Sequence, residues 1–322
     1  MAKCTLKDVA KACNVSAYTV SRAINNKKDI SKETKDKILA VAKKMGYVAN
    51  IGARNLRVGS TNNIAIIYDD FENPYYNLVI KELATKLYEN GFYMTLFYDF
   101  DSISLLNTKL LKRVISSNID GIISLIGITE NAIKFNKIWK KPLIQIGSAS
   151  LNKEVDCIYF DDYDGGLKLC NYVINRGYKN IGFINATEKL SAGMERIKGY
   201  KKALEDNNFE IIESRIIHLE QGGLTPEEAT QVLLNQNCDC IIAYNDMTAL
   251  TIKKYLKKNK IYNVLVCGFD NIQRTMPLPE PLISVYGDIN KIVDITVETL
   301  IKRINEESND VINIKMPVQI YK

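Results

Sequence analysis

The sequence predicts an α/β protein in two unequal parts: a basic bundle of three short helices, then a larger body of parallel sheets flanked by helices. Three observations carry this. Apolar residues recur at helical spacing through the first 46 positions. From Asn63 onward, short apolar runs alternate with helical patterns, as parallel strands buried on both faces require. Charge divides along the same line: residues 1–60 hold 13 Lys and Arg against 4 Asp and Glu, a balance of +9, whereas the other 262 hold 30 against 33, a balance of −3.

The bulk composition excludes several classes. With 46% apolar and 25% charged residues over 322 positions, the chain has the makings of two or three soluble domains. The longest apolar run, Ile119 to Ile128, is broken by Asp120, Gly121, Ser124 and Gly127, so no membrane span is expected. The N-terminus offers no apolar stretch for a signal peptide, and a cytoplasmic location is expected. Seven cysteines, with no Cys-x-x-Cys and one histidine, His218, speak against a disulfide framework or structural zinc. They read as reduced, small core residues. No metal or cofactor is expected.

In chain order, Leu6, Val9, Ala10 and Cys13 share one face of a first helix, which Asn14 ends. Ser16 caps a second helix, with Val20 and Ile24 on its buried side and Ala17, Tyr18, Ser21 and Arg22 facing outward. Ser31 caps a third, with an Ile38, Val41, Ala42 and Met45 stripe and Gly46 at its end. Two short helices joined by a tight turn, the second polar outside, describe a helix-turn-helix. A strongly basic balance on such a module is the electrostatic footprint of a nucleic-acid binder.

The motifs Thr5-Leu6-Lys7-Asp8-Val9-Ala10, Val15-Ser16 with Thr19-Val20-Ser21-Arg22, Gly46-Tyr47, and Ala53-Arg54-Asn55-Leu56 resemble the lactose/galactose-repressor (LacI/GalR) family of bacterial transcription regulators. The resemblance implies a partner, double-stranded DNA with a pseudo-palindromic operator, bound by a homodimer. The second helix would enter the major groove, with Ala17, Tyr18 and Arg22 at base edges and Ser16, Thr19 and Ser21 holding phosphates. It also implies a hinge helix over residues 49–61 that carries Asn50, Ala53, Arg54 and Arg57. There Leu56 would wedge into the minor groove and kink the duplex. Two departures stand out: Ala49 where a proline is usual, and Gly52 inside the hinge helix, where glycine costs up to about 1 kcal/mol against alanine.

In the body, strands are expected at Ile64–Tyr68, Met94–Tyr98, Gly121–Leu125, Pro142–Ile146, Cys157–Phe160, Asn180–Ile184, Cys240–Tyr244 and Val264–Gly268. Val79, Ile80, Leu83 and Leu87 stripe the helix after the first. The total is too many strands for one sheet, which implies two lobes. Seven further motifs, among them Asn73-Pro74-Tyr75-Tyr76, Arg196-Ile197-Lys198-Gly199-Tyr200 and Gly268-Phe269-Asp270-Asn271, follow the same family in order. The implied fold is a helix-turn-helix domain (1–48) with a hinge helix (49–61), plus a two-lobed core similar to periplasmic binding proteins. Its N-terminal lobe would comprise 62–160 and 289–322, and its C-terminal lobe 161–288.

Ligands of open α/β sheets sit beyond the carboxyl ends of strands. The candidates there are Phe71, Tyr75, Asp161, Arg196, Asp246 and Asp270. The family resemblance implies that Arg196 and Asp270 hold sugar hydroxyls or a similarly polar effector, and vicinal hydroxyls suit such bidentate planar partners. For Asp246, helix capping is the competing role. Gly147 stands where relatives place a polar residue, and Leu190 offers no hydrogen bond to a nucleobase. No P-loop, GxGxxG, HExxH or GxSxG is present, so no enzyme and no catalytic residue is expected. The expected function is a repressor of carbohydrate-utilisation genes relieved by a small sugar. The alternatives are a corepressor-dependent catabolite-control regulator, answering to a small molecule or a phosphorylated carrier protein, and a sugar-binding protein with a vestigial DNA module.

Overall fold

Side-chain caps start the three helices among the described residues of the N-terminal part. In the computed structural model, Thr5 Oγ1 accepts from Asp8 N at 3.3 Å while the Asp8 carboxylate accepts from Thr5 N at 2.8 Å, a capping box on helix Leu6–Cys13. Asn14 ends that helix in the left-handed region at φ 55°. Ser16 caps Ala17–Ile24 and Ser31 caps Lys32–Lys44. The stripes meet in one small core of Val9, Ala10, Cys13, Val20, Ala23, Ile38 and Ala42. Met45, expected in the third stripe, is exposed, because the helix ends one residue before it.

The described residues are 4–26, 29–47, 60–98, 105–150, 153–307 and 310–322. The chain divides into two units, Met1–Thr61 and Asn62–Lys322. The hinge residues Asn50, Ala53, Arg54, Leu56 and Arg57, with Ala49 and Gly52, lie outside the described residues.

The larger unit holds two six-stranded sheets. The first runs Asn313–Met316, Asp156–Phe160, Leu143–Gly147, Gly121–Ser124, Asn63–Tyr68 and Tyr93–Tyr98, every neighbour parallel. The second runs Val318–Tyr321, Ile283–Gly287, Leu265–Phe269, Cys240–Ala243, Ile181–Asn185 and Ile216–His218. All the strands read from the sequence are present; the late strands and the short pair Leu105–Leu106 and Gly127–Ile128 were not foreseen. Helices cover both faces of each sheet. Leu83 and Leu87 of helix Pro74–Glu89 and Val297 and Leu300 of helix Ile289–Ile304 pack into one core, and Leu111, Val114 and Ile133 into another.

One boundary needs correction. Residues 289–316 return to the first sheet, but Val318–Tyr321 pairs antiparallel with Ile283–Gly287 in the second. The expected first-lobe segment 289–322 therefore ends at Met316, and the chain passes between sheets a third time. Pro317 explains the break, since it has no N–H to extend the first ladder. Arg303 anchors the return, donating from Nε to Asp156 Oδ2 at 2.7 Å and from Nη2 to Asp156 Oδ1 at 2.9 Å. Among the described residues, no helix is long and apolar enough to cross a membrane.

Two glycines set the spacing of helices Asp162–Asn175 and Ser191–Asp206. A Cβ on Gly166 would lie 2.1 Å from the Arg196 carbonyl oxygen, and one on Gly199 would lie 2.0 Å from that of Tyr163. Only backbone fits at these crossings. Gly199→Ala is expected to force the helices apart and destabilise the unit by about 1–3 kcal/mol. Urea unfolding of the full chain checks this; an unchanged midpoint would show that the close approach is dispensable.

Candidate functional site

The helix Ala17–Ile24 begins with its cap engaged: Ser16 Oγ accepts from Thr19 N at 3.0 Å and lies 2.8 Å from Thr19 Oγ1. Tyr18 is 65% exposed. Arg22 Nη1 donates to the Tyr18 hydroxyl at 2.7 Å, its guanidinium sits 5.2 Å from the Tyr18 ring centroid, and Nη2 pairs with Asp29. Ser21 is half-buried and accepts from Asn25 through its carbonyl at 2.7 Å. Ala17, expected to face outward, is half-buried against the bundle core instead. Its i, i+3, i+7 spacing to Val20 and Ile24 puts it on the edge of the buried stripe. The outward side of this helix therefore presents Tyr18, with the half-buried Arg22 beside it.

In the larger unit, a cavity of about 260 Å³ opens between the two sheets at the carboxyl ends of their strands. From the first lobe, strand Asn63–Tyr68 ends and delivers Asp69 and Asp70. Asp70 Oδ1 accepts from the Glu72 and Asn73 amides at 2.9 and 3.1 Å, and Asn73 Oδ1 caps the next helix by accepting from Tyr75 N at 3.0 Å. This tight turn, with Pro74 at the first helical position, directs Tyr75 and Tyr76 to the cavity wall. Gly147 has φ 98°, and a Cβ there would meet the Tyr75 hydroxyl at 3.4 Å.

From the second lobe comes Arg196. Its Nε donates to Asp162 Oδ1 at 2.7 Å, its Nη1 to the Tyr244 carbonyl at 2.5 Å, and its guanidinium lies 4.3 Å from the Phe269 ring centroid. Asp270 follows strand Leu265–Phe269 with φ 101°, a conformation rarely held by a non-glycine residue, fixed by its N–H to the Val285 carbonyl at 2.8 Å. Burial, reinforced by the Asp162 and Asp70 carboxylates, pushes the Asp270 carboxyl up to about 7 against the pull of Arg196 and Asn73. Burial also raises Asp162, opposed by Arg196.

Of the six predicted ligand residues, Tyr75, Arg196 and Asp270 line the cavity, and three do not. Phe71 is exposed and stacks on Tyr98 at 4.4 Å, because the turn at Asp70 sends it outward before the helix begins. Asp161 caps its helix by accepting from Asp164 N at 3.1 Å and pairs with Lys315 at 2.8 Å; its neighbour Asp162 enters the cavity instead. Asp246 is fully buried beneath the cavity, accepting from Ile272 N at 3.0 Å and from Ser284 Oγ at 2.8 Å. The helix cap considered for it belongs to Asn245, which accepts from Thr248 N at 2.9 Å. The cavity residues not foreseen, Asp69, Asp70, Asn73, Asp162 and Tyr244, mostly sit directly after strands or at helix starts. That position is itself the signal that would have found them.

A helix-turn-helix unit with an outward tyrosine beside an arginine, joined to a two-sheet unit with a polar cleft, defines a ligand-responsive transcription regulator. Residues 5–50 match the model for bacterial regulatory proteins of the lacI family, and residues 61–322 match periplasmic binding proteins and the sugar binding domain of the LacI family. The chain belongs to the LacI family of DNA-binding transcription regulators. It is 31% identical over 301 residues to the transcriptional regulator DegA of Bacillus subtilis, covering 90% of this chain and 88% of that one. It is 28% identical over 320 residues to the regulator MalR of Streptococcus pneumoniae, covering 95% and 94%. The fold matches the Lac repressor bound to ONPG in its repressed state, with a TM-score of 0.84 at 17% identity over 100% and 99% of the chains. It also matches a CelR–cellobiose complex, with a TM-score of 0.70 at 21% identity over 99% of each.

Two predictions follow from the charges. Asp29→Asn removes a negative charge, paired with Arg22, from the basic N-terminal unit. Binding to DNA of any sequence should tighten, and the log–log salt slope should become more negative by up to about one unit. A titration of binding against salt checks this, and unchanged or weaker binding would show that Asp29 does not face the phosphates.

The second prediction concerns pH. Burial, with Asp270 nearby, pushes the Asp246 carboxyl up to about 8, far above the unfolded value of about 3.9. A raised acid stabilises the fold fully below its unfolded pKa and progressively less as pH climbs through the folded one. The melting temperature of the ligand-free protein should therefore fall from about pH 4 to about pH 8 and level off above that. Asp246→Asn should flatten that fall, whereas an equally steep fall in the variant would put the titration elsewhere.

Proposed function

We propose that the protein is a homodimeric repressor of carbohydrate-utilisation genes that leaves its operator when a small polyhydroxylated ligand occupies the interlobe cleft. The observation that carries this reading is Arg196. It is held by Asp162 and the Tyr244 carbonyl, stacked on Phe269, and lines a cavity that also takes Asp270 and Asn73. Planar donors and acceptors around a small space suit paired hydroxyls, and an aromatic face suits a sugar ring. At about 260 Å³ the cavity falls below the ~300–1,000 Å³ of typical drug-sized pockets, which favours a monosaccharide-sized ligand over a long oligosaccharide. Among solved relatives, CelR forms a complex with cellobiose and an Enterococcus faecium regulator holds bound ribose.

On this reading the two recognition helices of a dimer address the half-sites of a pseudo-palindrome, and Leu56 from each subunit wedges at its centre. Ligand and DNA weaken each other by the same factor, because the coupling is reciprocal. The cleft performs binding rather than catalysis, and the protein acts in the cytoplasm.

Fluorescence anisotropy on DNA from upstream of the protein's own gene, with and without single sugars, tests the reading. Tight, salt-sensitive binding released by one sugar is the expected result, and tightening by a ligand would reverse the sign to corepression. Absence of specific binding would overturn the assignment for that site. Arg196→Ala is expected to keep DNA binding and lose the ligand response; a variant that loses both would make Arg196 a structural residue.

A further inference from the structure

We propose that Asp246 and Ser284 are positioning residues for ligand recognition. Together they hold the Asp270–Asn271 turn in a backbone conformation it would not keep alone, and so aim the Asp270 carboxylate into the cleft. The inference rests on the reading of Asp270 as a ligand residue and adds what fixes its direction.

The backbone is the first observation. Asp270 and Asn271 are consecutive non-glycine residues at positive φ, 101° and 49°. Asn271 sits by the small left-handed well that asparagine tolerates, whereas Asp270 lies beyond it. Such a residue persists only where its surroundings over-determine it. Here each amide along the turn is held. Asp270 N donates to the Val285 carbonyl at 2.8 Å, Asn271 N to Ser284 Oγ at 2.9 Å and Ile272 N to Asp246 Oδ2 at 3.0 Å. Strand Ile283–Gly287 therefore grips the first two, and helix Asp246–Lys258 grips the third.

The second observation is that Asp246 and Ser284 act as one unit. Ser284 Oγ lies 2.8 and 2.9 Å from the two Asp246 oxygens. A hydroxyl has one proton, and giving it to the carboxyl leaves a lone pair to accept from Asn271 N. Asp246 is available for this because Asn245 already caps the helix. A Cβ on Gly268 would lie 2.3 Å from Asp246 Oδ1, so the strand that leads into the turn leaves room for that carboxyl. Asp246 and Ser284 are fully buried, and neither lines the cavity. Both can therefore act on a ligand only through Asp270, whose carboxylate faces Arg196 and accepts from the Asn73 side chain of the opposite lobe. A turn that relaxes carries that carboxylate away from both.

The test is crystallography and calorimetry on the full-length protein, wild type beside Ser284→Ala and Asp246→Asn. Removing the Ser284 hydroxyl is expected to let Asp270 return to negative φ and turn its carboxylate out of the cavity, with the second sheet otherwise unchanged. Asp246→Asn, which keeps only one acceptor oxygen, should displace the same turn by less. An Asp270 that keeps its φ and its place in the Ser284→Ala crystal overturns the proposal; if that variant does not fold, the Asp246→Asn crystal decides in the same way. Calorimetry then uses glucose, galactose, ribose and cellobiose, well below the melting temperature of every variant. Affinity for a sugar that the wild type binds is expected to fall about tenfold or more in Ser284→Ala. A purely structural pair would lower the melting temperature and leave the affinity of the folded protein unchanged, and that result also overturns the proposal. Failure of the wild type to bind any of these sugars counts against the ligand reading alone, because the crystals still decide what holds the turn.

Discussion

One buried ion pair, Arg196 with Asp162, organises the cleft. Taking both charges out of water is expensive, and such a pair is retained only where further hydrogen bonds complete it. Here the Tyr244 carbonyl takes a second guanidinium donor and the Phe269 ring takes its face. One side chain thereby ties a helix to the ends of two neighbouring strands. The glycines at 166 and 199 are the precondition. They let the helix that carries Arg196 lie against the helix that carries Asp162 at backbone distance. The same contact that builds the lobe therefore positions its most polar group.

The return of the chain matters for how such a site can act at a distance. Three segments run between the sheets, near Asp161, Asp288 and Pro317, and the last two strands belong to different lobes. Several parallel connections permit the lobes to change angle while resisting translation, which is the geometry of hinge closure. A ligand that touches both walls biases that angle by its differential affinity for the closed arrangement, and by no more than that.

How far the sequence can be read depends on what each residue answers to. Periodicity placed the three N-terminal helices and the eight early strands because those elements bury one stripe or both faces of a continuous apolar run. Ile283–Gly287 and the final pair escaped it because they are short, half-polar edge or near-edge strands whose identity comes from tertiary pairing. In the cleft, Arg196 and Asp270 were legible through family motifs. Asp161 and Asp162 were legible only as a pair: one helical step of about 100° decides which of two adjacent carboxylates caps and which enters the cavity. Asp246 shows the opposite error, a polar residue at a strand end that serves the floor of the site through Ser284 and Ile272. Nothing in its local sequence separates that role from ligand contact.

Charge also separates the two tasks. The N-terminal unit carries the positive excess, and each Lys or Arg that meets a phosphate releases condensed counterions whatever the DNA sequence. Specificity must then come from a few oriented groups, and in the free unit the Tyr18 hydroxyl already holds the Arg22 guanidinium. A side chain already ordered loses less entropy on binding. The body, with its slight negative balance, contributes little non-specific affinity of its own and leaves DNA recognition to the small unit. Four of its carboxylates, Asp69, Asp70, Asp162 and Asp270, line the cleft, where low polarisability makes each charge count for more than it would on the surface. The two parts thus differ in the sign of their charge, +9 over residues 1–60 and −3 over the rest, which suits them to different partners.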